Sequence, residues 1–100
     1  MALTEKLVVT ANESKGYVQI TVSTVSLALT TIPDNAQKVL IHIETNTVRI
    51  RLDGTAPTAA IGQLLATDFW LELNGREMIT KARLIRAGGA DALVSVHYFA

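Results

Sequence analysis

The sequence predicts an all-β fold: a single small antiparallel β-sandwich, jelly-roll-like, with about eight strands. Three observations predict it. Apolar and polar residues alternate along one run after another, the period of a strand with one buried face. β-branched residues are frequent in those runs, as suits a pleated, half-buried surface. Turn-forming residues interrupt the runs at roughly ten-residue spacing, the rhythm of a sandwich or a barrel. A chain of 100 residues is one domain with one core.

The elements follow in order. Strands are expected at about 17–22, 25–30, 37–45, 47–52, 62–66, 69–73, 81–87 and 92–99. In the first, Val18, Ile20 and Val22 share a face. Ser23-Thr24 forms a tight corner, after which Val25, Leu27 and Leu29 repeat the pattern. Ile32-Pro33-Asp34-Asn35 is a loop, because proline fixes its own φ and pushes the preceding residue toward extended backbone. Val39, Ile41 and Ile43 face the core in the third strand, and Thr45-Asn46-Thr47 suits a short hairpin into the fourth. There Val48, Ile50 and Leu52 point inward and Arg49 and Arg51 outward, until Asp53-Gly54 turns the chain.

The second half is similar. Phe69, Leu71 and Leu73 share a face, and Asn74-Gly75 closes the run. The segment 76–86 has helical propensity, but its apolar positions fit helical spacing only in part. A short turn at Arg76–Ile79 followed by a strand at Lys81–Arg86 agrees better with the all-β surroundings. Gly88-Gly89 separates it from the last strand, where Val94, Val96 and Tyr98 alternate. Residues 1–16 precede the first clear strand and read as an N-terminal arm or an extra edge strand. Within them Leu7-Val8-Val9 can pair with a sheet edge of this chain or a neighbour, and Asn12–Gly16 reads as loop. Residues 17–100 are the sandwich domain.

Composition narrows the function. Nine basic residues balance nine acidic ones, so the net charge is zero. A nucleic-acid binder usually shows a basic patch and a high pI, so none is expected as a partner. Zero net charge favours self-association, and 49% hydrophobic residues against 18% charged is rich for a small monomer. No apolar run approaches the ~20 residues of a membrane helix, and Met1–Lys6 has no signal-peptide pattern. Without cysteine there is neither a disulfide nor a thiolate metal site.

No enzyme is expected. The chain lacks the nucleophile elbow, the phosphate loop and the dinucleotide fingerprint. Asp34, Glu44, Asp53, Asp68, Glu72 and Asp91 are scattered, whereas a glycosidase needs two facing carboxylates in a cleft. His42 and His97 sit out of phase with the core residues beside them, and no metal-ligand spacing accompanies them. No cofactor or metal is expected.

The remaining candidates are interface residues. Trp70 alternates out of phase with Phe69, Leu71 and Leu73, so its indole points away from the core. It serves as an interface or ligand platform, or a loop or the N-terminal segment covers it. Arg49 and Arg51 line a solvated face, with carboxylates such as Glu44 as possible neighbours, or pair with carboxylates of a partner subunit. Arg83 and Arg86 lie on opposite faces of the seventh strand. Pro57 sits in an uncharged loop that either contacts a neighbour or crosses the end of the sandwich. Leu7 and Val9 complete the candidates.

The run Val48–Thr58 reads V-R-x-R-x-D-G-T-x-P-T and is followed by Gly62 and a leucine-rich hairpin, Leu64–Leu73. Before it stand Val25–Leu29, Pro33 and Val39–Glu44; after it come the arginine pair Arg83 and Arg86 and the aromatic end Tyr98-Phe99. Over residues 17–100 this pattern resembles small β-sandwich proteins encoded by tailed bacteriophages. The resemblance implies a non-enzymatic virion structural protein, first of all a capsid decoration or cement protein. Such proteins are made in the host bacterial cytoplasm and sit on the capsid surface, frequently as trimers bound to the major capsid protein. Tail, neck and fibre-associated roles are the alternative within the same class. A small carbohydrate-binding module built on Trp70 is the alternative outside it.

Overall fold

A computed structural model describes residues 13–100. Two four-stranded antiparallel sheets face each other. The strands are β1 (Ser14–Val22), β2 (Leu27–Ala28), β3 (Lys38–Thr45), β4 (Val48–Arg51), β5 (Gln63–Leu65), β6 (Trp70–Asn74), β7 (Arg83–Arg86) and β8 (Ala92–Phe99). A helix, α1 (Arg76–Lys81), lies between β6 and β7. Sheet A has the order β1-β8-β3-β6 and sheet B the order β2-β7-β4-β5. The first four strands therefore pair with the last four in reverse: β1 with β8, β2 with β7, β3 with β6 and β4 with β5. That is a ribbon of two antiparallel halves rolled into a sandwich, the jelly-roll arrangement the sequence predicts.

The core follows the two-residue period. Val39, Ile41 and Ile43 from β3 meet Val94, Val96 and Tyr98 from β8, all fully buried or nearly so. Val48, Ile50, Leu65 and Leu84 close the core from sheet B. The Tyr98 ring lies among them, and its hydroxyl donates to the Thr30 carbonyl at 2.7 Å. Burial pushes the Tyr98 phenol up to about 12.

Several expectations need correction. Val25 is 71% exposed, because the strand there shrinks to Leu27–Ala28 and leaves Val25 in the preceding turn. Leu52 lies beyond the end of β4, where the chain bends toward Asp53, and is also exposed. Phe69 is exposed because Asp68, at φ 69°, turns the chain just before β6 begins. Thr45-Asn46-Thr47 is not a hairpin, since β3 and β4 belong to different sheets. It is a corner between the sheets: Asn46 adopts φ 62°, and its side-chain amide donates to the Asp91 carbonyl at 2.8 Å.

The expected turn at Arg76–Ile79 is the helix α1, and β7 starts at Arg83. Glu77 in its first turn and Lys81 in its last complement the helix dipole and pair at 3.2 Å. Ile79 and Ala82 are buried and fix its inner side. β1 starts at Ser14, so Ser14–Gly16 belong to the sheet and not to a loop. Residues 1–12 of the expected arm, Leu7 and Val9 included, lie outside the described residues.

The Tyr98 phenol makes stability depend on alkaline pH. Unfolded, it titrates near its ordinary value of 10.0, whereas folded it holds its proton to about 12. Between those values the unfolded state binds fewer protons, so stability falls as pH rises. Denaturant titrations from pH 9 upward should show this loss, and Tyr98→Phe should lack it. At neutral pH the same variant should cost about 0.5–1.5 kcal/mol through the hydrogen bond to Thr30.

Candidate functional site

The outward face of sheet A gathers most of the aromatic side chains. Of the Phe, Tyr and Trp residues only Tyr98 is buried. Register places Tyr17, His97, Leu40 and Glu72 in one row across the sheet, and Gln19, Ser95, His42 and Trp70 in the next. The Tyr17 and His97 rings lie 4.6 Å apart, and His97 lies 5.7 Å from Phe99. His42 stacks on Trp70 at 4.1 Å with 15° between the planes. Trp70 thus points outward as expected, and both histidines lie on the outward face. Leu40 is only 6% exposed on this same face, between His97 and Glu72 on the adjacent strands.

Polar groups on the face satisfy one another. The buried Lys38 ammonium donates to Glu72 at 2.8 Å, and the Asn74 amide donates to the same oxygen at 3.1 Å. These bonds, that from Lys38 first, hold the Glu72 carboxyl below the usual carboxylate range. Glu44 accepts from Gln19 at 3.0 Å and from the Ser95 hydroxyl. It lies on sheet A, so it is no neighbour of Arg49 or Arg51. His42 Nε2 lies 3.3 Å from the exposed Asp68 carboxylate. Among the described residues no group of three or more His, Cys, Asp or Glu could hold a metal ion. The arrangement offers stacking surface and hydrogen-bonding groups.

Sheet B presents a different outward face. Arg49 and Arg51 point away from the core as expected, beside Ile85 and Arg83 on β7. Their donors are engaged within the chain. Arg49 donates from Nε to the Ala59 carbonyl at 3.0 Å and from Nη1 to the Gly62 carbonyl at 2.9 Å. Arg51 pairs with Asp53, whose carboxyl is held low by that hydrogen bond and by the Thr55 N–H. Arg83 donates to the carbonyls of Thr80 and Ala82. Arg86, on the opposite face, pairs with Asp91 at 2.7 Å.

Arg49 therefore ties the loop 53–62 back onto β4. Pro57 is buried in it, against Gly62. Gly62 is required here: its φ is +133°, and a Cβ would come within 3.1 Å of Pro57, 3.2 Å of Arg49 and 3.3 Å of the Ile50 carbonyl. The loop is folded back against its own sheet.

A third feature lay outside the sequence reading. β5 and β6 are edge strands of their sheets, and an apolar groove of about 440 Å³ opens there. Ile50, Leu52, Leu64, Leu65, Phe69 and Leu71 line it together with Gln63. Leu64 is 47% exposed and Phe69 44%. The signal was present in the sequence: Leu52 and Phe69 each adjoin a turn residue, Asp53 or Asp68, where alternation no longer assigns a face.

Fold and surfaces together define a class, a small jelly-roll sandwich with one aromatic outward face and one apolar open edge. Comparison with known proteins finds no matching family model, no matching curated protein and no matching solved structure.

The Arg49 tether and its glycine are open to test. Gly62→Ala should destabilise the protein by about 1–3 kcal/mol through backbone strain and crowding. Gly88→Ala, where an added Cβ meets nothing closer than Thr47 Oγ1 at 3.6 Å, should fall within about 0.5 kcal/mol of the parent. Urea midpoints of the two variants measured side by side check this.

Proposed function

We propose that this chain is a non-enzymatic structural protein of a tailed-phage virion, acting as a capsid decoration or cement protein. The observation that carries the adhesive reading is the outward face of sheet A, where Tyr17, Trp70, Phe99 and both histidines lie on one side of the sandwich. Aromatic side chains supply large contact area at low entropic cost and are enriched where proteins dock. The phage setting comes from the resemblance through Arg49-x-Arg51-x-Asp53-Gly54-Thr55 and Pro57-Thr58. The virion surface is its place and the major capsid protein its partner. Zero net charge and an apolar open edge support self-association, with a trimer as the first expectation.

The mechanism is adhesion. A cement protein resists head pressure by adding interface area between capsid subunits, and an interface holds through a few well-packed anchors. Tyr17 and Trp70 are those anchors. Tail, neck or fibre attachment is the same chemistry at another address. A carbohydrate-binding module is the second reading. It rests on the exposed Asp68 beside the His42–Trp70 stack.

Co-sedimentation with phage heads assembled without the protein tests the first reading. The parent should bind, and Tyr17→Asp with Trp70→Ala should weaken binding at least about tenfold, as loss of interface hot spots does. Circular dichroism of the variant should match the parent. Failure of the parent to bind heads overturns the capsid assignment. Saturable quenching of the single tryptophan by a sugar would favour the carbohydrate module instead.

A further inference from the structure

We infer that Asn74-Gly75 is a conformation-gated deamidation site, shut while the end of β6 is paired with β3 and reactive once that end opens. The inference does not rest on the virion reading. Asn74 is the only asparagine in the chain that is followed by glycine. Glycine has no Cβ to shield its own amide nitrogen. Both residues are exposed, so water and base reach them. Accessibility is therefore no barrier to the reaction, and backbone geometry is.

The reaction needs only water and base. The Gly75 amide nitrogen loses its proton and attacks Cγ of the Asn74 side chain. A bond forms between that nitrogen and Cγ, the bond from Cγ to Nδ2 breaks, and Nδ2 leaves as ammonia. Water then opens the cyclic imide at either of its carbonyls. One opening leaves aspartate, and the other leaves isoaspartate.

The fold obstructs the first of these steps. Asn74 is the last residue of β6 and pairs with Lys38, so its backbone is extended. The imide ring is nearly flat, and closing it turns the Gly75 nitrogen toward the Asn74 Cβ, out of the strand conformation. The Gly75 N–H donates to the Gln37 carbonyl at 2.7 Å, which holds the proton that base must remove. The Gly75 carbonyl accepts from the N–H of the buried Ile79 at 3.2 Å, so the peptide is anchored to α1 as well. The leaving amide is itself held, donating to Glu72 at 3.1 Å. Ring closure requires a local opening that breaks the Gln37 bond and frees Asn74 from Lys38.

The product is permanent. A carboxylate stands where an amide donated to Glu72, and isoaspartate lengthens the main chain at the junction of β6 and α1. The pair thus records the time each chain has spent with this junction open.

Ageing the full-length protein at mildly alkaline pH tests this, folded in buffer and unfolded in guanidinium chloride side by side. Peptide mapping by mass spectrometry follows aspartate and isoaspartate at position 74. The folded protein should convert at least about tenfold more slowly, because the rate follows the population of the open form. Equal rates overturn the inference, as does an unfolded chain that does not convert at Asn74. Hydrogen exchange reads the gate separately: the Gly75 amide should exchange at least about tenfold more slowly in the folded protein than in an unfolded chain. Free exchange at Gly75 beside slow deamidation would remove the Gln37 bond as the gate and overturn the mechanism.

Discussion

The pairing of β3 with β8 at the centre of sheet A is the constraint on which the rest depends. These two strands, eight residues each, lie side by side in the middle of the sheet, and their register runs from Lys38 opposite Phe99 to Thr45 opposite Leu93. It sets two surfaces at once. Inward, it aligns Val39, Ile41 and Ile43 with Val94, Val96 and Tyr98 as the floor of the core. Outward, it brings Leu40 beside His97 and His42 beside Ser95. A slip of one residue would exchange those two sets, turning the apolar side to water and the rings inward. Stability and surface chemistry are therefore fixed by one register.

That dependence explains how much was legible in the sequence. Strict alternation in Val48–Ile50 and Val94–Tyr98, and the every-second-residue phase of Val39, Ile41 and Ile43, mark residues whose burial follows the pleat, and these lie in the core. Trp70 follows the same rule outward, as do Arg49 and Arg51. Alternation carries less meaning at strand ends. Val25, Leu52 and Phe69 continue the apolar phase on paper, yet each falls where the backbone has left the ladder, so the phase no longer points anywhere. The turn at Asn46 shows a related limit: an asparagine at positive φ serves a hairpin and a corner between sheets equally well, and only the partner of the next strand separates them.

The candidate surfaces divide along the same line. The aromatic face is a property of strand phase and could be read residue by residue through Trp70 and the two histidines. The groove at β5 and β6 depends on which strands end up as edges, and that is set by pairings between distant parts of the chain. The helix α1 is a local exception within a β context. Its end charges, Glu77 and Lys81, and its buried Ile79 outweigh the pull of the surrounding strands for six residues.

The tether at Arg49 has a consequence for sidedness. Because Arg49, Arg51 and Arg83 all spend donors on groups of their own chain, the outer surface of sheet B is chemically quiet. The rings of sheet A and the apolar rim beside β6 remain as the surfaces with something to offer. The molecule therefore has a back and a front: the looped arginine side turns its donors onto its own chain, and the opposite side of the sandwich carries the stacked rings.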